Sequence, residues 1–186
     1  MVFDKWGSYT MVAVLFDLEG TLVQSIENDQ KAIFEFRIKT RKKLVALGIP
    51  RGELEGVTTS TLMRNKALEY VEEHFNEREA KRFHLEMDRF LKSYELSWAG
   101  RSKIFPDALL ALRRLKELGC RMGLITNTSR EAANRILPIH GIADFFEVVI
   151  TREDVKKLKP DPEGILLALR RLKARNFFFV GDLVHD

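Results

Sequence analysis

The run Val12-Ala13-Val14-Leu15-Phe16-Asp17-Leu18-Glu19-Gly20-Thr21-Leu22 constrains the fold of this chain more than any other stretch. An apolar lead delivers an aspartate, a second carboxylate follows two positions on, and a Gly-Thr pair turns the chain. A strand that is apolar at every position is buried on both faces, which points to the interior of a parallel sheet covered by helices. Such sheets bind ligands at the carboxyl edges of their strands. Asp17 and Glu19 are therefore delivered to an edge where chemistry is done, and two neighbouring carboxylates can divide it, one attacking while the other handles a proton.

Three later segments have related features. Gly123-Leu124-Ile125-Thr126-Asn127 is a short apolar strand ending in a hydroxyl and an amide. Lys157-Leu158-Lys159-Pro160-Asp161-Pro162 sets lysines in a loop stiffened by prolines. Phe177-Phe178-Phe179-Val180-Gly181-Asp182 reads as another buried strand, ending in Gly-Asp with Asp186 four residues on.

Between the first and second strands the grammar is helical. Residues 28–47 carry Ala32, Ile33, Phe36, Ile38 and Leu44 at helical spacing, closed by Gly48-Ile49-Pro50. Residues 59–75 and 76–96 predict two more helices, the second with Ala80, Phe83, Met87, Phe90 and Leu91 inward. From Phe105 strands and helices alternate. A helix over 107–118, with Pro106 in its first turn, is closed by Gly119, and a strand follows over 120–126. Ser129 opens a helix that Pro138 and Gly141 end near residue 137; a strand over 145–151, a helix over 162–174 and a strand over 176–180 complete the pattern. Alternation of this kind predicts an α/β fold, a doubly wound parallel sheet with right-handed crossovers, here with an all-α insert after its first strand.

Composition sets outer limits. In 186 residues, 45% hydrophobic content with thirteen Phe supplies a sizeable core. No apolar run approaches the ~20 residues of a membrane helix. Asp4 and Lys5 stand where a signal peptide needs an apolar stretch. Cys120 is the one cysteine, which excludes an intramolecular disulfide, fits a reducing compartment and reads as a small core residue. The net charge of +4 is spread as Lys and Arg alternating with Glu, as over 66–82, the pattern of a solvated helix face and not of a nucleic-acid groove. The expectation is a cytoplasmic protein without nucleic-acid or membrane partners, its oligomeric state open. Residues 1–10 look unlike the rest and Met11 stands directly before the first strand, so the first ten residues are expected to be an extension or an upstream start.

In order and separation, the four segments resemble the four motifs of the haloacid dehalogenase (HAD) superfamily, over residues 11–186. The resemblance implies a Rossmann-like core in two pieces, 11–22 and 104–186, with a subclass I helical cap over 23–103. It also implies a phosphatase that uses Mg²⁺ and acts on a small phosphorylated metabolite. Asp17 is then the nucleophile, forming a short-lived aspartyl-phosphate that water hydrolyses, with a hard oxygen-ligated cation screening the charge.

Glu19 stands where family phosphatases usually carry an Asp that protonates the leaving oxygen and then activates water. Its backbone carbonyl is a family metal ligand. The extra methylene moves the carboxylate by about one bond length, and ~1 Å of misplacement can cost ~10²-fold in rate. The enolase-phosphatase branch also carries Glu here. Gly20 and Thr21 shape the turn. The Thr126 hydroxyl and Asn127 backbone N–H are expected to hold phosphoryl oxygens, the alternative being that Thr126 is an ordinary cap, a role Ser129 could fill for the next helix. Lys159, marked out by Pro160, neutralises nucleophile and phosphate, while Lys156 and Lys157 read as solvated. Asp182 ligates the metal directly. Asp186 acts through water or on Lys159, or has only a capping or surface role, and His185 is a bystander. Arg51 in the 48–53 turn, Arg101 and Lys103 are candidate specificity elements.

Family members continue past the fourth motif with a helix and a fifth strand. A sequence that stops at Asp186 is expected either to be truncated or, if complete, to leave its fourth strand poorly covered. Three other readings stay open. One is a metal-independent 2-haloacid dehalogenase, against which Glu19 and Asp182 speak. The second is a phosphomutase on the same chemistry, and the third a non-catalytic module that binds a phosphorylated ligand or a protein.

Overall fold

The computed structural model describes residues 2–3, 9–10, 12–24 and 30–182. The chain divides into two compact units, one built from Met1–Asn28 with Trp98–Asp186 and the other from Asp29–Ser97. Ahead of the core, β1 (Val2–Phe3) and β2 (Tyr9–Thr10) pair antiparallel. Met11 lies outside the described residues.

The apolar run forms β3 (Val12–Phe16), in which Ala13 and Leu15 are wholly buried. A short antiparallel pair follows where the chain leaves and re-enters this unit: β4 (Val23–Gln24) lies against β5 (Lys103–Ile104), with Val23 opposite Ile104. Two residues per strand are too few to register as an alternation in the sequence. The alternating elements then run α4 (Pro106–Glu117), β6 (Arg121–Ile125), α5 (Arg130–Ile139), β7 (Val148–Ile150), α6 (Glu163–Leu172) and β8 (Asn176–Val180), where α1 to α3 belong to the insert described below. The four main strands make one parallel sheet in the order β7-β6-β3-β8. Chain order steps outward from β3 through β6 to β7 and then returns to the other side of β3. That reversal opens a crevice at the carboxyl ends of the strands.

Register decides what lines this edge. Phe16 lies opposite Leu124 on one side and Val180 on the other. The residues that leave the sheet next, Asp17, Thr126 and Asp182, therefore emerge from three adjacent strands at one edge. Beneath them α6 sets Ala168 and Leu172 against Ala13, Leu15, Ile125 and Ile150.

Four local expectations change. The expected buried strand at 177–180 is exposed: Phe178 is 66% accessible, and Phe177 and Val180 are each 40%. The strand stands at the end of the sheet order with only β3 as its neighbour, so its apolar character is not matched by cover among the described residues. The α5 helix runs through Pro138 to Ile139, because a proline in the last turn forfeits one hydrogen bond while Gly141, at φ +63°, provides the actual turn. The strand expected over 145–151 shortens to β7 after a 3₁₀ turn over Ala143–Phe145, and Phe146 instead packs edge-on to Phe16 at 6.2 Å. Cys120 is half-buried just ahead of β6, outside the core.

The second unit is helical: α1 (Gln30–Ala46), α2 (Ser60–His74) and the greater part of α3 (Glu77–Ala99), which continues into the first unit. Thr59 caps α2 by accepting the Leu62 N–H, and Asn76 caps α3 in a reciprocal exchange with Glu79. Leu44, Ile49, Leu54, Met63, Ala67, Val71, Phe83, Met87 and Leu91 close an apolar core of its own. Ile38, one of the apolar residues of α1, is 39% accessible. No helix among the described residues is long and apolar enough to cross a membrane.

Candidate active site

Asp17 is the first residue past β3, and its N–H donates to the Val180 carbonyl at 2.9 Å, extending the ladder by one rung. That rung turns its side chain out at the sheet edge. The carboxylate is 6% exposed as a residue, and Oδ1 lies 2.7 Å from Nζ of Lys159, itself 7% exposed. A buried ion pair of this kind is costly to assemble, since desolvation of both charges opposes their attraction. It persists where the surroundings hold it.

The holding is done by residues around Lys159. The Asn127 side chain reciprocates with the lysine's main chain: Lys159 N–H donates to Oδ1 at 3.0 Å, and Nδ2 donates to the Lys159 carbonyl at 3.4 Å. The Phe179 ring lies 5.6 Å from Nζ, so the edge strand supplies an aromatic face to the ammonium. Upstream in the same loop, the Glu163 carboxylate accepts the N–H groups of Lys156 and Lys157. Lys156 and Lys157 are themselves exposed; of the three lysines, Lys159 is the one brought to Asp17.

These contacts give Glu163 a pH signature. The Lys157 N–H, then that of Lys156, holds its carboxyl below the ordinary 4.5. A carboxyl depressed in the folded state adds stability that is full above the unfolded value and lost as pH falls through the lower folded one. Glu163→Gln is expected to lower stability at pH 7 by about 1 kcal/mol after allowance for solvent screening, or about 2–4 °C in Tm. Differential scanning calorimetry checks this: the gap between variant and parent must narrow below pH 4.5.

On the other flank of β3, Thr126 N–H donates to the Ile150 carbonyl, and Thr126 Oγ1 accepts the Thr128 N–H at 3.1 Å. A hydroxyl oxygen engaged as acceptor keeps its proton for a further partner. Ser129, not Thr126, caps α5, accepting from Ala132 N–H. The Thr128 hydroxyl donates to Glu19 Oε1, tying the second carboxylate of the β3 loop to the β6 loop. Arg152, 4% exposed, donates from its backbone N–H to the Thr128 carbonyl and from its guanidinium to that of Asn127. Below it, burial disfavours charge on Asp154, but the Thr151 N–H and hydroxyl, then Arg130 and Arg171, hold its carboxyl below the usual range. Thr128, Arg152, Phe179 and the Asn127 amide were not legible as site-shaping groups, because each acts through a contact between distant segments.

Gly20 closes the arrangement. Its φ is +86°, and a Cβ there would lie 2.3 Å from Asp182 Oδ2. Glycine is needed twice over, for the left-handed backbone and for the approach of Asp182, whose Oδ1 also accepts from the Thr21 hydroxyl at 3.4 Å. Gly20→Ala is expected to cost about 1–2 kcal/mol of backbone strain and to push Asp182 aside. Urea denaturation of the variant measures the first effect. Asp186 and His185 lie outside the described residues. Arg51, Arg101 and Lys103 are exposed.

A parallel α/β sheet that gathers a buried lysine–carboxylate pair, two threonine hydroxyls and further acids at its switch point is the core of a Rossmann-like enzyme. The profile of the haloacid dehalogenase-like hydrolases matches residues 11–186, and the chain belongs to that family. It is 31% identical over 173 residues to the phosphoglycolate phosphatase of Cereibacter sphaeroides, covering 92% of this chain and 77% of that one. Against the pyrophosphatase PpaX of Bacillus velezensis it is 30% identical, over 95% of this chain and 76% of that one. Among solved structures, the HAD phosphatase of Thermococcus onnurineus superposes with a TM-score of 0.55 at 27% identity, over 95% of this chain and 79% of that one. The chain is accordingly a phosphatase-like HAD hydrolase, and phosphoester hydrolysis is its chemistry.

Proposed function

We propose that this protein hydrolyses a small-molecule phosphate monoester by double displacement on Asp17, with Mg²⁺ as cofactor. The observation that carries the reading is the buried Asp17–Lys159 pair at the switch point of the sheet. A lysine at 2.7 Å places positive charge beside the Asp17 carboxylate, where the nucleophile and a phosphoryl group would meet.

The donor chemistry fits the metal. Mg²⁺ takes one or two carboxylates together with substrate phosphate and water, all hard oxygen ligands. Asp17 and Asp182 supply two carboxylates from neighbouring strand ends, the approach of Asp182 depending on the missing Cβ of Gly20. The Glu19 carbonyl and Asp186 complete the proposed ligand set. When bound, the ion neutralises phosphoryl charge as a Lewis acid.

The protein's own groups carry the remaining steps. An Asp17 oxygen attacks phosphorus while the bond to the leaving oxygen breaks, and Glu19 supplies that oxygen with a proton. Water then attacks the phosphorus of the aspartyl-phosphate, returning a proton to Glu19 as the Asp17–phosphate bond breaks. The Thr126 hydroxyl, whose oxygen is engaged by the Thr128 N–H, donates to a phosphoryl oxygen. The Asn127 backbone N–H does the same, and Lys159 balances the charge of both anions.

Residues 23–103 serve as the cap that reads the leaving group, a role supported by the self-contained helical core of the second unit. Relatives named for phosphoglycolate and pyrophosphate hydrolysis support a small phosphorylated substrate, and a cytoplasmic setting suits such a metabolite. The test is hydrolysis of p-nitrophenyl phosphate with Mg²⁺ and with EDTA. Turnover that EDTA abolishes and Mg²⁺ restores is expected; turnover indifferent to EDTA, or confined to 2-haloacids, contradicts the reading.

A further inference from the structure

We infer that Thr128 is the positioning residue that makes Glu19 a competent proton donor, an inference that rests on the phosphatase reading above. Glu19 sits on the loop after β3 and Thr128 on the loop after β6, 109 residues apart in sequence, and the threonine hydroxyl donates to Glu19 Oε1. Thr128 is 3% exposed, and its own N–H is fixed on Thr126 Oγ1 at 3.1 Å. Its side chain is β-branched and stiff at χ1, so the hydroxyl is a fixed point. Glu19 has one more rotatable bond than the aspartate a shorter reach would use, and that freedom must be removed before proton transfer is efficient.

The hydrogen bond removes it. With Oε1 accepting from Thr128, the proton to be transferred sits on Oε2. It passes to the leaving oxygen as the P–O bond breaks, and Oε2 recovers a proton from water as the second displacement proceeds. Thr128 keeps its own proton throughout. One threonine thus joins two tasks: its N–H sets the Thr126 hydroxyl and its Oγ1 sets the acid.

Leaving-group dependence tests the inference. p-Nitrophenolate leaves without a proton, whereas phenolate leaves well only when protonated, and the two esters are nearly the same size. Thr128→Val is expected to lower kcat/KM, which reports the first displacement and not the hydrolysis of the shared aspartyl-phosphate, about 10²-fold on phenyl phosphate and to change it less than about threefold on p-nitrophenyl phosphate. Thr128→Ser must restore the phenyl phosphate rate, and the inhibition constant of inorganic phosphate must stay unchanged. If the valine variant does not fold, Thr128→Ala removes the hydroxyl without added bulk and serves the same comparison. Equal losses on both esters, no loss on phenyl phosphate, or failure of serine to rescue would overturn the role of Thr128 while the phosphatase reading stands. A parent protein that hydrolyses neither ester overturns that reading, and this inference with it.

Discussion

Asp17→Asn is expected to reduce phosphomonoester turnover by at least about 10⁴-fold, because an amide cannot take the nucleophile's part and residual catalysis comes from binding groups alone. The loss must fall on kcat. Thr126, Asn127 and Lys159 remain to hold the phosphoryl group, so inorganic phosphate should still bind. The substitution also removes a charge beside a buried ammonium at 2.7 Å. Some loss of stability accompanies it, and turnover has to be compared at a temperature where calorimetry shows both proteins folded. Steady-state kinetics on p-nitrophenyl phosphate, with phosphate inhibition as the binding control, makes the measurement. A variant retaining a tenth of parental kcat would remove Asp17 from the chemistry.

Lys159→Met is expected to show the second large effect, in stability as much as in rate. Both partners of the pair are nine-tenths buried or more, with side-chain exposures of 6% and 9%. Taking away one member of such a pair leaves the other charge without that partner in a desolvated place, at a cost of about 3–5 kcal/mol. The methionine also leaves the Asn127 clamp intact, because both of its hydrogen bonds go to main-chain atoms of residue 159. The loss therefore reports the charge and not the loop. In the double variant Asp17→Asn, Lys159→Met the cost should be less than the sum of the singles by at least about 1 kcal/mol, the mark of coupling between contacting groups. Urea denaturation of the four proteins checks this, and strict additivity would mean that the two side chains do not interact in solution.

Much of this arrangement was legible before any coordinates. The apolar run at 12–16 requires burial on both faces, and that alone calls for a parallel sheet with helices over it. The strand ends fall together because parallel register aligns them, whereas Asp17, Thr126 and Asp182 were named through the resemblance of their three segments to the HAD motifs. Lys159 stood out from Lys156 and Lys157 through its proline, and it is the lysine that reaches Asp17.

What escaped reading is non-local. The Thr128–Glu19 bond spans 109 residues and the Asn127–Lys159 clamp 32, and neither leaves a mark in the periodicity of its own segment. Asn127 was expected to contribute a backbone N–H, and its side chain turns out to shape the lysine loop. The exposure of β8 escaped for a related reason: Phe177, Phe178 and Val180 have the composition of a buried strand, but burial depends on neighbours that composition does not specify. Even so, this strand serves the site through Phe179, which lies against the Lys159 ammonium.

The central claim is that phosphorus is attacked first by Asp17 and only then by water. Hydrolysis of a thiophosphate monoester made chiral with ¹⁸O, carried out in H₂¹⁷O, tests it most directly. Two in-line displacements invert phosphorus twice, so the account predicts thiophosphate of retained configuration. Net inversion would mean that water attacks the ester directly, with Asp17 reduced to an electrostatic role, and would contradict the mechanism proposed here.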